Sequence, residues 1–333
     1  MIISRTPFRI SFFGGGTDYP VWYKKNKGAV LATSINKYCY ITCRYLPPFF
    51  KHKHRIVYGK QEKVKRISEI KHPAVRECFN FIGVDRGVEI HHDGDLPARA
   101  GLGTSSSFTV GLLKALYALN GKMVAKRKLA LDAIHIEQKM IKENVGSQDQ
   151  VTTAFGGFNK IEFDGSQEFQ VQPITLSSKK YNLLQNHLML YFTGFSRTAS
   201  DLAKEQIKMT PHKQEELKRM AEMVDESIDI LNGSDSELTD FGKLLHESWM
   251  IKRELTNKIT TPYIDNIYEK ARKAGALGGK LLGAGGGGFV LFFVEPKKQK
   301  NVKEKLRNLL YVPFKFEQLG SQIIYYAQEE EYL

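Results

Sequence analysis

The sequence predicts an α+β protein of two domains, and three observations carry that expectation. Strand-like composition dominates residues 8–13, 29–45 and 55–58, whereas long helical patterns fill 213–231, 236–255 and 262–274. Glycine-rich runs at Gly14–Gly16, Gly101–Gly103 and Gly283–Gly288 interrupt these elements. A chain of 333 residues can bury a substantial core and divide in two. We set the division at 1–175 and 176–333.

Residues 8–13 read as a strand that the Gly14-Gly15-Gly16 triplet ends abruptly, with Thr17 and Asp18 next. Bare backbone at Gly15 and Gly16 lets a ligand approach while Asp18 offers a carboxylate, a common way to hold sugar hydroxyls. Asp18 could equally cap a short helix over Tyr19–Lys25. The segments 29–45 and 55–58 continue a β-meander beside the first strand. The basic run Lys51-His-Lys-His-Arg55 carries no local acidic partner and reads as a surface loop, not a metal site.

A helix over Ala74–Phe81 and a strand over Val88–His92 lead to Asp95–Phe108, D-L-P-A-R-A-G-L-G-T-S-S-S-F. Gly101 and Gly103 precede Thr104, Ser105 and Ser106, and a helical run follows from Phe108 to Leu119. A glycine loop feeding a helix start presents unpaired backbone N–H groups and the positive end of the dipole, which together hold an anion. A hydroxyl there can reach a bridging magnesium ion. No lysine follows the glycines as a Walker loop requires, and Ser106 stands where a dinucleotide fingerprint needs its third glycine. The alternative is a simple turn capped by Thr104.

A second helix is expected over 124–142. Its Glu137 lies near the C-terminus, where a negative charge opposes the dipole and suggests a cation partner, unless it faces solvent near Lys139 or Lys142. Asp149 lies between Gln148 and Gln150 at the start of a small-residue helix. It is either oriented by those amides or simply favoured by the dipole. A hairpin-like region, a strand over Leu188–Thr193 and the loop Gly194-Phe-Ser-Arg-Thr198 follow. Arg197 there suits a phosphate, or pairs with Asp201. Residues 276–282 and the strand Phe289–Val294 flank the last glycine run, which forms a tight loop against the nucleotide or the first motif. A helix over Lys297–Leu310 and a strand over Ile323–Ala327 complete the chain.

Composition narrows the class. The net charge of +13 comes from widely spread basic residues without the aromatic interleaving of a nucleic-acid platform, so an anionic small molecule is the favoured partner. No apolar run approaches the roughly 18 to 20 residues that span a bilayer. Arg5 and Arg9 break the N-terminal apolar stretch, which therefore does not read as a secretory signal. Cys39, Cys43 and Cys78 form no C-x-x-C pair and fit reduced thiols in a cytoplasm.

Three stretches together resemble the GHMP kinases. They are P-F-R-I-S-F-F-G-G-G-T-D-Y at Pro7–Tyr19, G-L-G-T-S-S-S at Gly101–Ser107 and K-L-L-G-A-G-G-G-G-F at Lys280–Phe289. The resemblance implies a ribosomal protein S5 domain 2-like N-terminal domain, a ferredoxin-like C-terminal domain, and ATP with Mg2+ as cofactors. It implies ATP contacts from Arg99, Ala100, Gly101, Leu102, Gly103, Thr104, Ser105 and Ser106. It also implies Asp149 as catalytic base, with Arg9 beside it neutralising transferring charge. Glu137, twelve positions before Asp149, and Ser105 would hold the metal. Gly15, Gly16, Thr17, Asp18, Arg197, Gly285 and Gly286 would meet the sugar.

Within the family, G-G-G-T-D-Y-P and T-G-F-S-R-T-A-S are similar to kinases of D-glycero-D-manno-heptose 7-phosphate, while fucose kinases share parts of the pattern. The expected reaction is transfer to the anomeric hydroxyl of that heptose phosphate, feeding nucleotide-activated heptose synthesis. The alternatives are a kinase of an unphosphorylated sugar, or a non-catalytic sugar, nucleotide or RNA binder. Ala98-Arg99-Ala100 departs from the usual Pro-x-Gly, adding a charge beside the phosphate loop. Lys37, Arg44, Arg99 and Arg197 are the candidates for the 7-phosphate. The expected partners are ATP and a small sugar phosphate, with neither nucleic acid nor membrane, and the oligomeric state is left open.

Overall fold

A computed structural model of the chain describes residues 1–98, 100–165, 169–194 and 199–327. The first half runs β1 (Ile2–Phe13), the short α1 (Pro20–Tyr23), β2 (Gly28–Tyr45), β3 (His54–Val57), β4 (Gln61–Val64), α2 (Pro73–Ile82) and β5 (Val88–Gly94). It continues through α3 (Thr104–Leu119), α4 (Lys126–His135), α5 (Gln148–Phe155), β6 (Phe158–Phe163) and β7 (Phe169–Pro173). The second half begins with α6 (Ser178–Asn186), β8 (Leu188–Phe192), α7 (Ala199–Met209), α8 (Gln214–Asn232), α9 (Leu238–Glu254) and α10 (Pro262–Lys273). Then come β9 (Ala276–Leu281), β10 (Phe289–Val294), α11 (Gln299–Lys305), β11 (Leu310–Tyr311), β12 (Phe316–Glu317) and β13 (Gln322–Tyr326).

Two sheets organise the described residues. The first follows the order β13-β1-β2-β5-β3-β4, and the second is antiparallel in the order β11-β8-β10-β9. β2 is long enough to carry different neighbours along one edge: Cys39–Tyr45 pair with β5, whereas Gly28–Thr33 pair with β6, which forms a hairpin with β7. β1 alternates at its start and is buried at every position from Thr6 to Phe13. The change marks where helices cover both faces, with α3 packed on β1 and β2, α8 reaching the same strands and α9 reaching β1.

The joint between the halves is aromatic. Phe241 of α9 is fully buried and meets Phe12 and Phe13 of β1 edge-on, with ring centroids 5.6 and 5.1 Å away. Its other neighbour is Phe293 of β10 at 6.1 Å. Burying a phenylalanine stabilises by about 1.5–3 kcal/mol, so this ring holds β1 and the second sheet in one packed core.

Three expectations change. β12 and β13 return to the first sheet, pairing with β2 and β1, so the last strands do not belong with the second half in space. The helix expected over 124–142 ends at His135 and passes into a π-helical turn over Ile136–Met140. His54 is not a surface-loop residue: it lies buried in β3, and its Nδ1 accepts the Val88 N–H at 3.3 Å.

Candidate active site

The site begins with backbone geometry at the start of α3. Gly101 and Gly103 have φ of 83° and 71°, the left-handed region that glycine enters without a Cβ penalty. Gly103 is the N-cap of α3, and no side chain caps the helix, so Thr104 does not play the capping part its position allowed. The start of α3 therefore carries no side-chain cap, and its positive dipole end opens on a glycine loop, an arrangement suited to an anion.

Arg9 ties that loop to the next element. Its backbone N–H donates to Leu102 O at 3.0 Å, and Nη1 donates to Gly101 O at 2.6 Å. Nε and Nη2 donate to Asp149 Oδ1 and Oδ2 at 2.7 and 2.8 Å, a bidentate pair. The Arg9 side chain is 5% exposed and that of Asp149 24%, so the carboxylate is the member that reaches open space. A Cβ on Gly103 would stand 3.0 Å from Arg9 Cγ and 3.4 Å from Asp149 Oδ2. The phosphate-loop glycine thus lies directly against the pair, as far apart as these residues are in sequence.

A single cavity gathers most of the residues read from the sequence. Its wall includes Arg9 and Asp149, Gly15, Gly16 and Asp18 of the first glycine run, and Gly101, Gly103, Thr104, Ser105 and Ser106. Asp18 is buried and accepts from the N–H groups of Gly16 at 3.0 Å and Gln148 at 3.3 Å, so it spans β1's loop and α5 and does not cap α1. Burial and the nearby Asp149 charge raise its carboxyl above the usual range. Two buried polar atoms on this wall, Ser11 Oγ and Gln148 Oε1, have no hydrogen-bond partner. Orphaned polar atoms are uncommon in a folded interior, and these two lie where a polar ligand in the cavity would satisfy them.

Other expected residues take supporting positions. Thr17 is buried, with Oγ1 donating to Gly14 O at 2.8 Å and Ala29 O at 2.9 Å, so it shapes the loop and does not face the cavity. Ala100 and Leu102 are buried beneath the phosphate loop. The last glycine run packs on the second motif, not the first: a Cβ on Gly283 would be 2.5 Å from Gly101 Cα, and one on Gly288 would be 2.3 Å from Ala100 O. Gly283 and Ala284 line the cavity, whereas Gly286 N–H donates to Ile259 O at 2.9 Å and a Gly285 Cβ would meet Ile259. Gly285 and Gly286 therefore stand behind the wall. Arg99 and Arg197 lie outside the described residues. Arg44 is held by Glu89 at 2.7 Å, and Lys37 is not part of the cavity wall.

Glu137 is buried, not solvent-facing. The π-helical turn carries it inward, where Oε2 accepts from Ser106 Oγ at 2.9 Å and from Gln150 Nε2. The hydroxyls that meet Glu137 belong to Ser106 and Thr109, whereas Ser105 sits at an exposed position of the cavity wall. Burial pushes the Glu137 carboxyl up to about 7, with the Glu143 charge adding to the shift, and its Oε1 has no hydrogen-bond partner. A buried carboxylate oxygen left unpaired beside a hydroxyl has the hard-oxygen chemistry that a magnesium ion takes.

Two lysines complete the wall: Lys280, which opens the third motif but was given no part in the site, and Lys252, which lies outside the motifs. Lys252 of α9 donates to Gly283 O at 2.5 Å, and Lys280 of β9 donates to Phe12 O at 2.7 Å. Both are buried, and burial lowers both ammonium groups, Lys252 to about 8 and Lys280 well below the ordinary lysine range. The cavity therefore brings together a carboxylate clamped by a guanidinium, a glycine loop at a helix start and two buried lysine side chains. That set can hold a phosphorylated nucleotide and orient a hydroxyl toward it.

Residues 64–157 match the GHMP kinases N terminal domain and residues 213–312 match the GHMP kinases C terminal model, together more than half of the chain. A Campylobacter jejuni D-glycero-alpha-D-manno-heptose 7-phosphate kinase is 29% identical over 92% of this chain and 93% of its own length. A D-glycero-D-manno-heptose 1-phosphate kinase structure from Bacteriodes thetaiotaomicron superposes with a TM-score of 0.79 at 24% identity, covering 98% of this chain and all of that one. Streptococcus pneumoniae phosphomevalonate kinase, solved with phosphomevalonate and AMPPNP, has a TM-score of 0.75 at 15% identity over 95% of this chain and 100% of its own.

Proposed function

The chain belongs to the GHMP kinases, and from that premise we propose that it transfers the terminal phosphoryl group of ATP to the anomeric hydroxyl of D-glycero-D-manno-heptose 7-phosphate. The product is the 1,7-bisphosphate, a precursor for nucleotide-activated heptose. One observation carries the kinase chemistry: the Arg9–Asp149 pair lies against Gly103, within the cavity that the phosphate loop lines. The choice of heptose phosphate rests on the likeness to the C. jejuni enzyme.

In this reading the ATP phosphates lie on the amides that open α3, with Gly101 and Gly103 allowing close approach. Asp149 accepts a hydrogen bond from the acceptor hydroxyl and takes its proton as the oxygen attacks. Arg9 keeps that carboxylate aimed and offsets charge on the phosphoryl group. The transition state is loose, so aim and charge neutralisation matter more than proton removal. Asp18, fixed by two backbone amides, accepts from sugar hydroxyls beside Gly15 and Gly16. Ser106 and Glu137 fit a magnesium ion, which when bound neutralises phosphate charge. The functional units are 1–175 with the returning strands, and the intervening segment from 176.

A second reading, a kinase of an unphosphorylated sugar, draws on the state of the wall's cations. Arg9, Lys252 and Lys280 each already donate to protein oxygens, and Arg44 is engaged by Glu89. Phosphorus NMR of reactions with ATP, magnesium and a panel of hexoses, heptoses and heptose phosphates separates the two. The proposal expects a new anomeric phosphate signal only with the 7-phosphorylated heptose. Transfer to fucose or to free heptose at a similar rate would overturn the substrate assignment.

A further inference from the structure

We propose that Lys252 is a positioning residue for phosphoryl transfer, whose ammonium both anchors the last glycine run and supplies positive charge beside the Arg9–Asp149 pair. The inference rests on the kinase reading above and adds to it a group that the glycine motifs do not contain.

The argument starts from the difficulty of leaving a lysine where this one sits. Lys252 is 5% exposed, in the last turn of α9, and Ser248 and Trp249 one turn before it are also buried. A buried ammonium is costly unless its donors are satisfied or its charge is used. It has three N–H donors, and Gly283 O takes one of them at 2.5 Å. The side chain lines the cavity, so its remaining donors have the cavity itself as their outlet.

The position of the acceptor carbonyl matters as much as the charge. Gly283 packs on Gly101, and Gly101 O receives Arg9 Nη1 at 2.6 Å. Lys252 on α9, the last glycine run, the phosphate loop, Arg9 and Asp149 thus form one continuous set of contacts, to which each half of the fold contributes. The charged groups facing Lys252 are Arg9 from β1, Asp18 from the first glycine run and Asp149 from α5, with Lys280 of β9 on the same wall. Burial, and Arg9 after it, bring the Lys252 ammonium down to about 8, against the opposite pull of Asp18 and Asp149. A group lowered in this way is charged at pH 7 and loses its charge as the pH rises through 8, so a rate that needs the cation declines over that interval.

The test compares Lys252→Met, which keeps length and apolar bulk, with Lys252→Arg, which keeps charge. Transfer to the preferred sugar is followed from pH 6 to 10 at saturating magnesium, with nucleotide affinity read separately from a fluorescent ATP analogue. We expect Lys252→Met to lose about 100-fold or more in kcat, the scale of removing one preorganised transition-state donor, with nucleotide Kd within about threefold. Its residual rate should no longer decline near pH 8, while Lys252→Arg should restore activity and carry it to higher pH. Circular dichroism and the melting temperature report whether either variant folds.

The idea is overturned if folded Lys252→Met keeps kcat within about threefold, or if its alkaline decline is unchanged. A wild-type rate that rises through pH 8 in a Lys252-dependent way would instead make the neutral amine the active form, and would equally overturn it. Slow ATP hydrolysis to water, measured in parallel, gives the same comparison without a sugar. A mistaken acceptor therefore fails the NMR panel and leaves the Lys252 comparison intact.

Discussion

Asp149→Asn changes one atom at the point where the two halves of the proposed chemistry meet. Oδ1 can still accept from Arg9 Nε, but Oδ2 becomes an amide NH2 facing Arg9 Nη2, where a 2.8 Å charge-assisted bond had been. Hydrogen bonds to charged groups contribute about 1.5–3 kcal/mol each, and breaking a buried ion pair costs about 3–5 kcal/mol. Partial exposure of Asp149 and the surviving Arg9–Gly101 bond put this site at the lower end, about 3 kcal/mol of stability. Loss of a positioned general base costs typically about 10²–10⁴ in rate, and a loose transition state favours the lower half of that range. We therefore expect kcat to fall about 100- to 1,000-fold in a coupled assay of ADP release, with nucleotide Kd changed by less than about fivefold. A folded variant that turns over within tenfold of the wild type would refute the part given to Asp149.

Further substitutions probe the rest of the site. Ser106→Ala should raise the magnesium concentration for half-maximal rate by about tenfold or more, and Ser105→Ala by far less; equal effects would remove the distinction drawn between the two hydroxyls. Gly283→Ala meets Gly101 Cα at 2.5 Å with φ of 75°, so a loss of about 2–4 kcal/mol in urea unfolding is expected from overpacking and strain together. Glu89, buried beneath Arg44, Arg55 and His91, supplies a control outside the cavity wall: Glu89→Gln should destabilise by about 3 kcal/mol at pH 7 and leave kcat within twofold. Although burial opposes it, hydrogen bonds from His91, Arg44 and Arg55 hold the Glu89 carboxyl below its usual value. Its contribution is therefore present above the unfolded pKa and lost as the pH falls through the lower folded one. Melts that show the wild-type advantage growing toward pH 3 would contradict that sign.

What could be read from the sequence follows the range over which each residue acts. The glycine loop at Gly101 and Gly103 was legible because a glycine pair before a helix leaves a local signature, whereas Asp149 at its helix start stood out only through the family resemblance. Lys252 was not, since a lysine in an amphipathic helix looks the same whether it faces water or a cavity; only the packing of α9 against β9 and β1 turns it inward. That Ser106 meets Glu137 while Ser105 is exposed is a matter of helical phase, fixed by Gly103 serving as the N-cap of α3. Glu137 drew notice for its place against the dipole, but its burial depends on a π-helical turn that no hydrophobic period announces. The return of β13 to β1 joins residues at opposite ends of the chain, such as Ile2 and Tyr326, and a strand's own composition does not name its partner.

The central claim is that the phosphate loop and Asp149 share one transfer point. A crystal structure with a non-hydrolysable ATP analogue, magnesium and heptose 7-phosphate tests it most directly. The account predicts the anomeric oxygen within about 3–3.5 Å of the terminal phosphorus, with an Asp149 oxygen in hydrogen-bond contact with that hydroxyl. A terminal phosphate on the α3 loop with the sugar held elsewhere, out of reach of Asp149, would contradict it.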